Sequence, residues 1–525
     1  MTKPRSLPLR PLVLGILTVL IVLRVVSSLL ASWNEPQITS RLQLYQTDLL
    51  LNATELTLPA SEAGTPPPVS SVLVGNDPLE TALSQYQEVQ DSAESTLQTF
   101  RDRQSGSNAP ADDSLTAPTV PSPEFRKLQS VINEQATLIA KLDVRIGLLQ
   151  AKQDNVSAAR QTWQQVARSP GNGTLASDTS NLSETADVLL GLWNEPPRIL
   201  PDAEQQIQTN LDGWFRYQSL SRLYTLQERA DALAALQNQQ QAIAQNTLVK
   251  LAVIGVMPIV GSLAGIGILV FLIVQRFVKG QEAVLANNAG VAWETPWNWE
   301  IIWQVLIVGF FLVGQLIIPL LLGLIGFNFS AFGNRARAFY TLTYYLSMSA
   351  MGLLVLYLSI RSYLPLPKDW FRFNLGDRWF AWGLGGYVVA LPLMIVVSIL
   401  NQQLWQGQGG SNPLLQIVLE EGDPVSLGIF FFTAAVAAPV FEETLFRGFL
   451  LSSLTRYLPV WGAIAVSGVI FAVAHLSLSE VLPLSLLGCI LGVVYTRSRN
   501  LLAPMLLHSL WNGATMLSLF VLGSQ

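Results

Sequence analysis

Nine apolar segments constrain this chain more than any other feature of its sequence. The first covers 11–32, and eight more follow Lys250, at 251–275, 301–326, 338–360, 379–400, 425–446, 460–477, 481–496 and 501–521. A helix of about 20 apolar residues spans a bilayer. Only 13% of the residues are charged, whereas soluble proteins carry about 25%. The sequence therefore predicts an all-α, polytopic membrane helical bundle of about nine transmembrane helices.

The first apolar segment has Lys3, Arg5 and Arg10 before it and Trp33 after it. A basic start is typical of both an uncleaved anchor and a cleaved signal peptide, but signal cores are only about 7–15 residues long. We therefore predict an N-terminal transmembrane anchor, residues 1–32, with a cleaved signal peptide as the alternative.

Basic residues predict the orientation of the chain. The short loops that would be cytoplasmic carry thirteen Lys or Arg residues, whereas those on the opposite side carry only Arg335 and Arg337. Because Lys and Arg accumulate on the cytoplasmic side, we expect a cytoplasmic N-terminus and an extracytoplasmic segment 33–248. The expected location is a bacterial plasma membrane or an internal membrane.

Between the first two apolar segments, residues 33–247 contain 25 acidic and 14 basic residues, a net charge of −11. Stretches rich in Pro, Ser and Gly at 59–70 and 105–123 predict linkers, and the remainder predicts helices. Segments 148–163 and 223–236 resemble helix pairs of the tetratricopeptide kind, with a generic helical bundle as the alternative. We predict that region 33–248 binds a protein partner, that 249–424 holds transmembrane helices 2–5, and that 425–521 is a separate core.

Several classes of protein are excluded or disfavoured by composition. The single cysteine, Cys489, cannot form an internal disulfide or a Cys-ligated metal centre. The two histidines, His475 and His508, lie 33 positions apart and cannot form an HExxH zinc motif. The net charge of −5 disfavours nucleic-acid binding, which requires a basic face.

Polar residues inside membrane segments are costly and therefore mark candidate functional sites. The later segments contain six of them, Glu442, Glu443, Arg447, His475, His508 and Asn512. Glu443 and Arg447 are four residues apart and share a helix face, whereas Glu442 points about 100° away. A carboxylate and an imidazole can together deprotonate water, and a second imidazole with a carboxamide can stabilise an oxyanion. A proton-coupled transporter is the competing function for such residues.

The spacing of these residues resembles the CPBP family of CAAX proteases, bacteriocin-processing proteins and abortive-infection membrane proteins. The resemblance covers about 425–521 and consists of three motifs in order, EExxxR at 442–447, FxxxH at 471–475 and HxxxN at 508–512. Gly448, which usually follows the arginine in this family, is also present. The resemblance implies an intramembrane endopeptidase acting on a membrane-protein or lipid-associated peptide substrate.

The resemblance also implies a role for each polar residue. Glu442 and His475 would activate water, while His508 and Asn512 would stabilise the oxyanion. Glu443 and Arg447 would hold the site together, with Glu443 sharing in catalysis as an option. No cofactor is favoured, although Glu442, His475 and His508 could hold zinc. The alternative from another class is a catalytically silent scaffold or immunity-type protein that binds partners through its outer helical region.

Overall fold

The computed structural model describes residues 9–33, 35, 37–56, 77–107, 123–168, 176–324, 333–405 and 407–524. These residues form helices and no β-strand. They divide into two compact units, one made of Met1–Ile38 with Gly255–Ser524 and the other of Thr39–Ile254. The predicted linker 59–70, most of the linker 105–123, and the basic residues Lys3 and Arg5 lie outside the described residues.

The unit formed by residues 39–254 is a helical domain in which consecutive helices pack against each other. After α1 (Leu9–Ser32), its helices are α2 (Thr39–Thr54), α3 (Pro78–Ser107), α4 (Pro123–Lys152), α5 (Val156–Arg168), α6 (Ala176–Leu192), α7 (Ala203–Asn210), α8 (Gly213–Leu226) and α9 (Ala230–Leu251). A buried aromatic and aliphatic core holds the unit together.

The first predicted helix pair of this unit packs around Trp163. Its indole is fully buried and donates from Nε1 to the Val144 carbonyl oxygen at 3.1 Å. Gly147 makes this approach feasible, because a Cβ there would lie 2.2 Å from the indole nitrogen. The Trp163 and Gly147 positions therefore explain how α5 folds back on α4.

The unit that includes Gly255–Ser524 contains the apolar segments. It comprises α1, α10 (Met257–Lys279), α11 (Trp299–Leu324), α12 (Asn334–Ile360), α13 (Trp379–Trp405), α14 (Pro413–Glu420), α15 (Pro424–Leu454), α16 (Val460–Val473), α17 (Leu478–Ser498) and α18 (Leu502–Gly523). Eight helices among the described residues are long and apolar enough to cross a membrane. Large apolar side chains such as Leu23, Phe277 and Leu404 are exposed, as lipid-facing residues are.

The sequence predicts about nine transmembrane helices, one more than these eight. The remaining segment, predicted at 460–477, forms α16, which is apolar but only 14 residues long. The two segments predicted after it, at 481–496 and 501–521, form α17 and α18, which have 21 and 22 residues. α17 is longer than its apolar run because polar residues at both ends, including Glu480 and Arg497, belong to the helix.

Helices α16 and α17 pack closely through paired glycines. A Cβ at Gly488 would lie 2.7 Å from the Cα of Gly468. Small residues allow membrane helices to approach until their backbones touch. This contact holds the middle of α17 against α16, and His475 follows the end of α16.

Candidate active site

The two adjacent glutamates lie in α15, which is interrupted by π-helical turns at Thr433–Ala437 and Thr444–Leu451. The α-helical turn between them, Ala438–Glu443, contains both carboxylates. π-Helical turns inside α-helices occur frequently at functional sites. Glu443 is fully buried, while Glu442 is partly buried.

Arg447 and Glu443 form a fully buried ion pair, as their spacing predicts. The Arg447 Nη1 lies 3.0 Å from Glu443 Oε1, and both side chains have no exposed surface. Arg447 also donates from Nη2 to the Gly488 carbonyl oxygen at 3.1 Å, and its guanidinium carbon lies 4.5 Å from the centroid of the Phe471 ring. Arg447 therefore connects α15 to both α16 and α17.

His508 of α18 bridges the two glutamates. Its Nδ1 lies 2.7 Å from Glu443 Oε1, and its Nε2 lies 3.9 Å from Glu442 Oε2. Because a carboxylate oxygen only accepts hydrogen bonds, Nδ1 carries the proton. The glutamate that contacts Arg447 is thus also the one that orients His508.

Tyr345 of α12 is a site residue that the sequence reasoning missed. Its hydroxyl donates to Glu442 Oε1 at 2.8 Å. The available signal was the adjacent pair Tyr344–Tyr345 within the predicted membrane segment 338–360, but no motif includes it. Glu442 therefore has one oxygen held by Tyr345, while its buried Oε2 has no hydrogen-bond partner among the described residues.

His475 lies at the end of α16, against the ring of Phe471. Its Nδ1 donates to the Phe471 carbonyl oxygen at 2.9 Å, and the two ring centroids lie 5.0 Å apart. Phe471 also packs against His508, because the centroids of these two rings are 5.8 Å apart. Within the described part of the chain, no hydrogen bond or ion pair joins His475 directly to Glu442.

Asn512 contacts the first π-helical turn of α15. Its Nδ2 donates to the Ala434 carbonyl oxygen at 2.8 Å. In this turn the Ala438 N–H donates to the Thr433 carbonyl oxygen. The next hydrogen bond of the same pattern would run from residue 439 to the Ala434 carbonyl oxygen, but Pro439 has no N–H to donate. Asn512 therefore satisfies a carbonyl that the helix leaves open, and its second amide hydrogen is not used by this bond.

A zinc ion in a catalytic site takes three protein ligands. Across the ranges that the structure describes, no group of three or more His, Cys, Asp or Glu side chains is arranged to hold one. Glu442, His475 and His508, the set considered for zinc, do not form such a group. The clustered residues are instead a buried arrangement of two carboxylates, a guanidinium and an imidazole, with His475 beside it.

Comparison with known proteins identifies the domain that carries this cluster. The family described as Type II CAAX prenyl endopeptidase Rce1-like matches residues 424–514, a range that includes all six predicted site residues. No solved structure matches the chain.

Three curated relatives are similar to part of the chain. The membrane-embedded CAAX protease MroQ of Staphylococcus aureus is 30% identical over 25% of this chain and 55% of its own length. The putative membrane peptidase YdiL of Bacillus subtilis is 23% identical over 28% of this chain and 60% of its own. An uncharacterized 24.3 kDa protein of Escherichia coli is 28% identical over 30% and 71%, respectively.

The similarity to the first two relatives covers little more than half of their lengths and about a quarter of this chain. It nevertheless agrees with the family match in pointing to membrane peptidases. Residues 424–514 are therefore similar to the Rce1-like CAAX protease family and lie within a longer, helical membrane protein.

Proposed function

We propose that the protein is an intramembrane endopeptidase that hydrolyses peptide bonds of membrane-associated proteins by attack of an activated water. The observation that supports this most is the buried Glu442–His508–Glu443–Arg447 cluster within the protease-like domain. A charged group inside a membrane bundle is expensive. Two carboxylates, a guanidinium and an imidazole in direct contact are more than packing alone requires.

Glu442 and His475 are the proposed activators of water. The Glu442 Oε2 is buried and has no hydrogen-bond partner among the described residues, so it can accept a hydrogen from a water molecule. Because His475 donates from Nδ1 to the Phe471 oxygen, a neutral His475 has its lone pair on Nε2. Water between these two groups would transfer one proton to the pair as it attacks the peptide carbonyl carbon, which leaves a tetrahedral oxyanion. When the oxyanion collapses, the peptide C–N bond breaks and the pair returns the proton to the leaving amine nitrogen.

His508 and Asn512 are the proposed oxyanion donors. To donate, His508 needs a proton on Nε2 in addition to the one on Nδ1. The charges of the two glutamates, Arg447 and this imidazolium then sum to zero, which avoids a net charge in a region of low dielectric. The second amide hydrogen of Asn512 supplies the other hydrogen bond.

The proposed reaction needs no metal ion, because water is deprotonated by side chains and the oxyanion is met by hydrogen-bond donors. The substrate is a membrane protein or a lipid-associated peptide. We further propose a cytoplasmic N-terminus and an extracytoplasmic region 33–248, as the distribution of basic residues favours. Because stacked helix pairs of the tetratricopeptide kind form binding surfaces, we also propose that this region binds a protein partner.

Glu442→Gln tests this function. The Gln side chain keeps the shape of Glu442 and can still accept the Tyr345 hydrogen bond, but it cannot act as a base. We expect specific membrane proteins to accumulate uncut in membranes that contain the variant. Quantitative proteomics of membranes with equal amounts of wild-type and variant protein measures this, and a metal chelator should leave wild-type cleavage unchanged.

Glu282→Gln is the matched control for this experiment, because Glu282 is an exposed carboxylate of the same unit. It should leave cleavage intact. If no protein accumulates in Glu442→Gln membranes although the variant is folded and present at wild-type levels, the peptidase function is wrong, and a silent scaffold becomes the better explanation.

Tyr345→Phe should lower the rate of peptide hydrolysis by about 10–10²-fold, since a hydrogen bond to a charged group contributes about 1.5–3 kcal/mol. The Phe ring preserves packing, but Glu442 Oε1 loses its donor. Tyr344→Phe is the control, because the Tyr344 hydroxyl donates to the Gly314 carbonyl oxygen instead. Cleavage of the substrate identified above, assayed with both purified variants, should fall only for Tyr345→Phe; equal rates would remove Tyr345 from the site.

A further inference from the structure

A polar cavity of about 350 Å³ lies away from the glutamate cluster, at the ends of two membrane helices. Trp379 and Trp382 line it from the first turn of α13, and Arg497 and Ser498 line it from the last turn of α17. Since both helices are candidate spans, the cavity lies at the depth of a membrane interface, where tryptophan rings are enriched. We call it the basic cavity.

Four arginines, Arg372, Arg378, Arg497 and Arg499, line the basic cavity. Two aspartates also line it, so the cavity carries an excess of two positive charges. Asp377 pairs with Arg372 at 2.8 Å, and Asp369 lies 3.9 Å from Arg499. The Arg378 and Arg497 guanidinium groups have no carboxylate partner among the described residues.

The two arginines on the α17 side are built into the fold. Arg497 is 1% exposed and donates from Nε to the Leu285 carbonyl oxygen at 2.8 Å, and its Nη2 has no hydrogen-bond partner within the described ranges. Arg499 is 6% exposed and stacks on Trp293, with its guanidinium carbon 3.5 Å from the ring centroid. Burying two cations side by side is unfavourable unless an anion compensates them.

Orientation in the membrane does not explain this arrangement. The tendency of cytoplasmic loops to be basic requires only solvated Lys and Arg residues. Arg361 meets that requirement, since it is exposed at the end of α12 and lies outside the cavity. Here the arginines converge on one concavity, beside the N-terminus of the 27-residue helix α13, whose first N–H groups also favour an anion.

We propose that the basic cavity binds the phosphate group of an anionic phospholipid headgroup. Arginine guanidinium groups match the geometry of phosphate oxygens, and basic pockets between membrane helices bind anionic headgroups. The two tryptophans would lie against the glycerol and the start of the acyl chains. The lipid would hold the α13 and α17 ends together, independently of whether the protein hydrolyses peptides.

Native mass spectrometry of the full chain in neutral detergent tests this proposal. The protein is titrated with dioleoylphosphatidylglycerol, with dioleoylphosphatidylcholine of identical acyl chains, and with inorganic phosphate. We expect preferential binding of phosphatidylglycerol that weakens as the salt concentration rises. Arg378→Gln should weaken this binding about tenfold, the effect of losing one charge-assisted hydrogen bond, and adding Arg372→Gln should weaken it further.

Arg361→Gln is the matched control, because it removes the same charge from an exposed position outside the basic cavity. It should leave binding unchanged, and all variants should have wild-type thermal unfolding midpoints without lipid. Equal binding of the two lipids, or equal weakening by Arg361→Gln and Arg378→Gln, would overturn the proposal. Binding of inorganic phosphate with no preference for the anionic lipid would also overturn it, in favour of a free anion site.

Discussion

Replacing His475 with alanine is expected to lower kcat/KM for peptide hydrolysis by about 10²–10⁴-fold, the usual contribution of a positioned general base. The reason lies in the hydrogen bond from Nδ1 to the Phe471 carbonyl oxygen, which orients the ring and directs the lone pair of the neutral imidazole to Nε2. The side chain is only partly buried, so the loss of activity should not be a loss of folding. Cleavage assays with purified protein measure the change.

Added imidazole provides a sharper test of the role of His475. If the residue acts as a base, free imidazole should diffuse into the space left by His475→Ala and restore part of the rate, with an effect that saturates. Glu442→Gln should not respond, because its missing group is a carboxylate. A His475→Ala variant that cleaves at the wild-type rate while folded would exclude His475 from the reaction.

Arg447→Met is expected to destabilise the membrane unit by about 3–5 kcal/mol, the cost of removing one partner from a buried ion pair. Arg447 and Glu443 are both fully buried, so the variant removes the guanidinium partner of Glu443 where water cannot solvate the carboxylate. The Gly488 carbonyl oxygen also loses the hydrogen bond from Arg447 Nη2. The free energy of unfolding, measured by denaturant titration in detergent micelles, gives the magnitude.

A second variant separates charge from shape at this position. Glu443→Gln combined with Arg447→Met removes both charges, yet the Gln oxygen can still accept from His508 Nδ1. The double variant should be more stable than Arg447→Met, because no unpaired charge remains. Arg361→Met, at an exposed position, should cost little. If Arg447→Met were as stable as Arg361→Met, the buried pair would not stabilise the bundle.

Features that depend on residues close in the chain could be predicted from the sequence. Apolar runs predict membrane helices because length and composition alone decide whether a segment partitions into lipid. The Glu443–Arg447 pair follows from four-residue spacing on one helix, and the HxxxN spacing places His508 and Asn512 together on α18. The sequence by itself therefore determined the helical membrane architecture and the identity of the six polar residues.

The partners of those residues were decided by tertiary structure. Tyr345 and Glu442 are 97 positions apart, Glu443 and His508 are 65 apart, and Asn512 reaches a carbonyl 78 positions earlier. Contacts across such distances depend on how helices rotate and approach each other, which is set by many packing contacts at once. For the same reason, only the packed bundle brings arginines from separate segments of the chain together in the basic cavity.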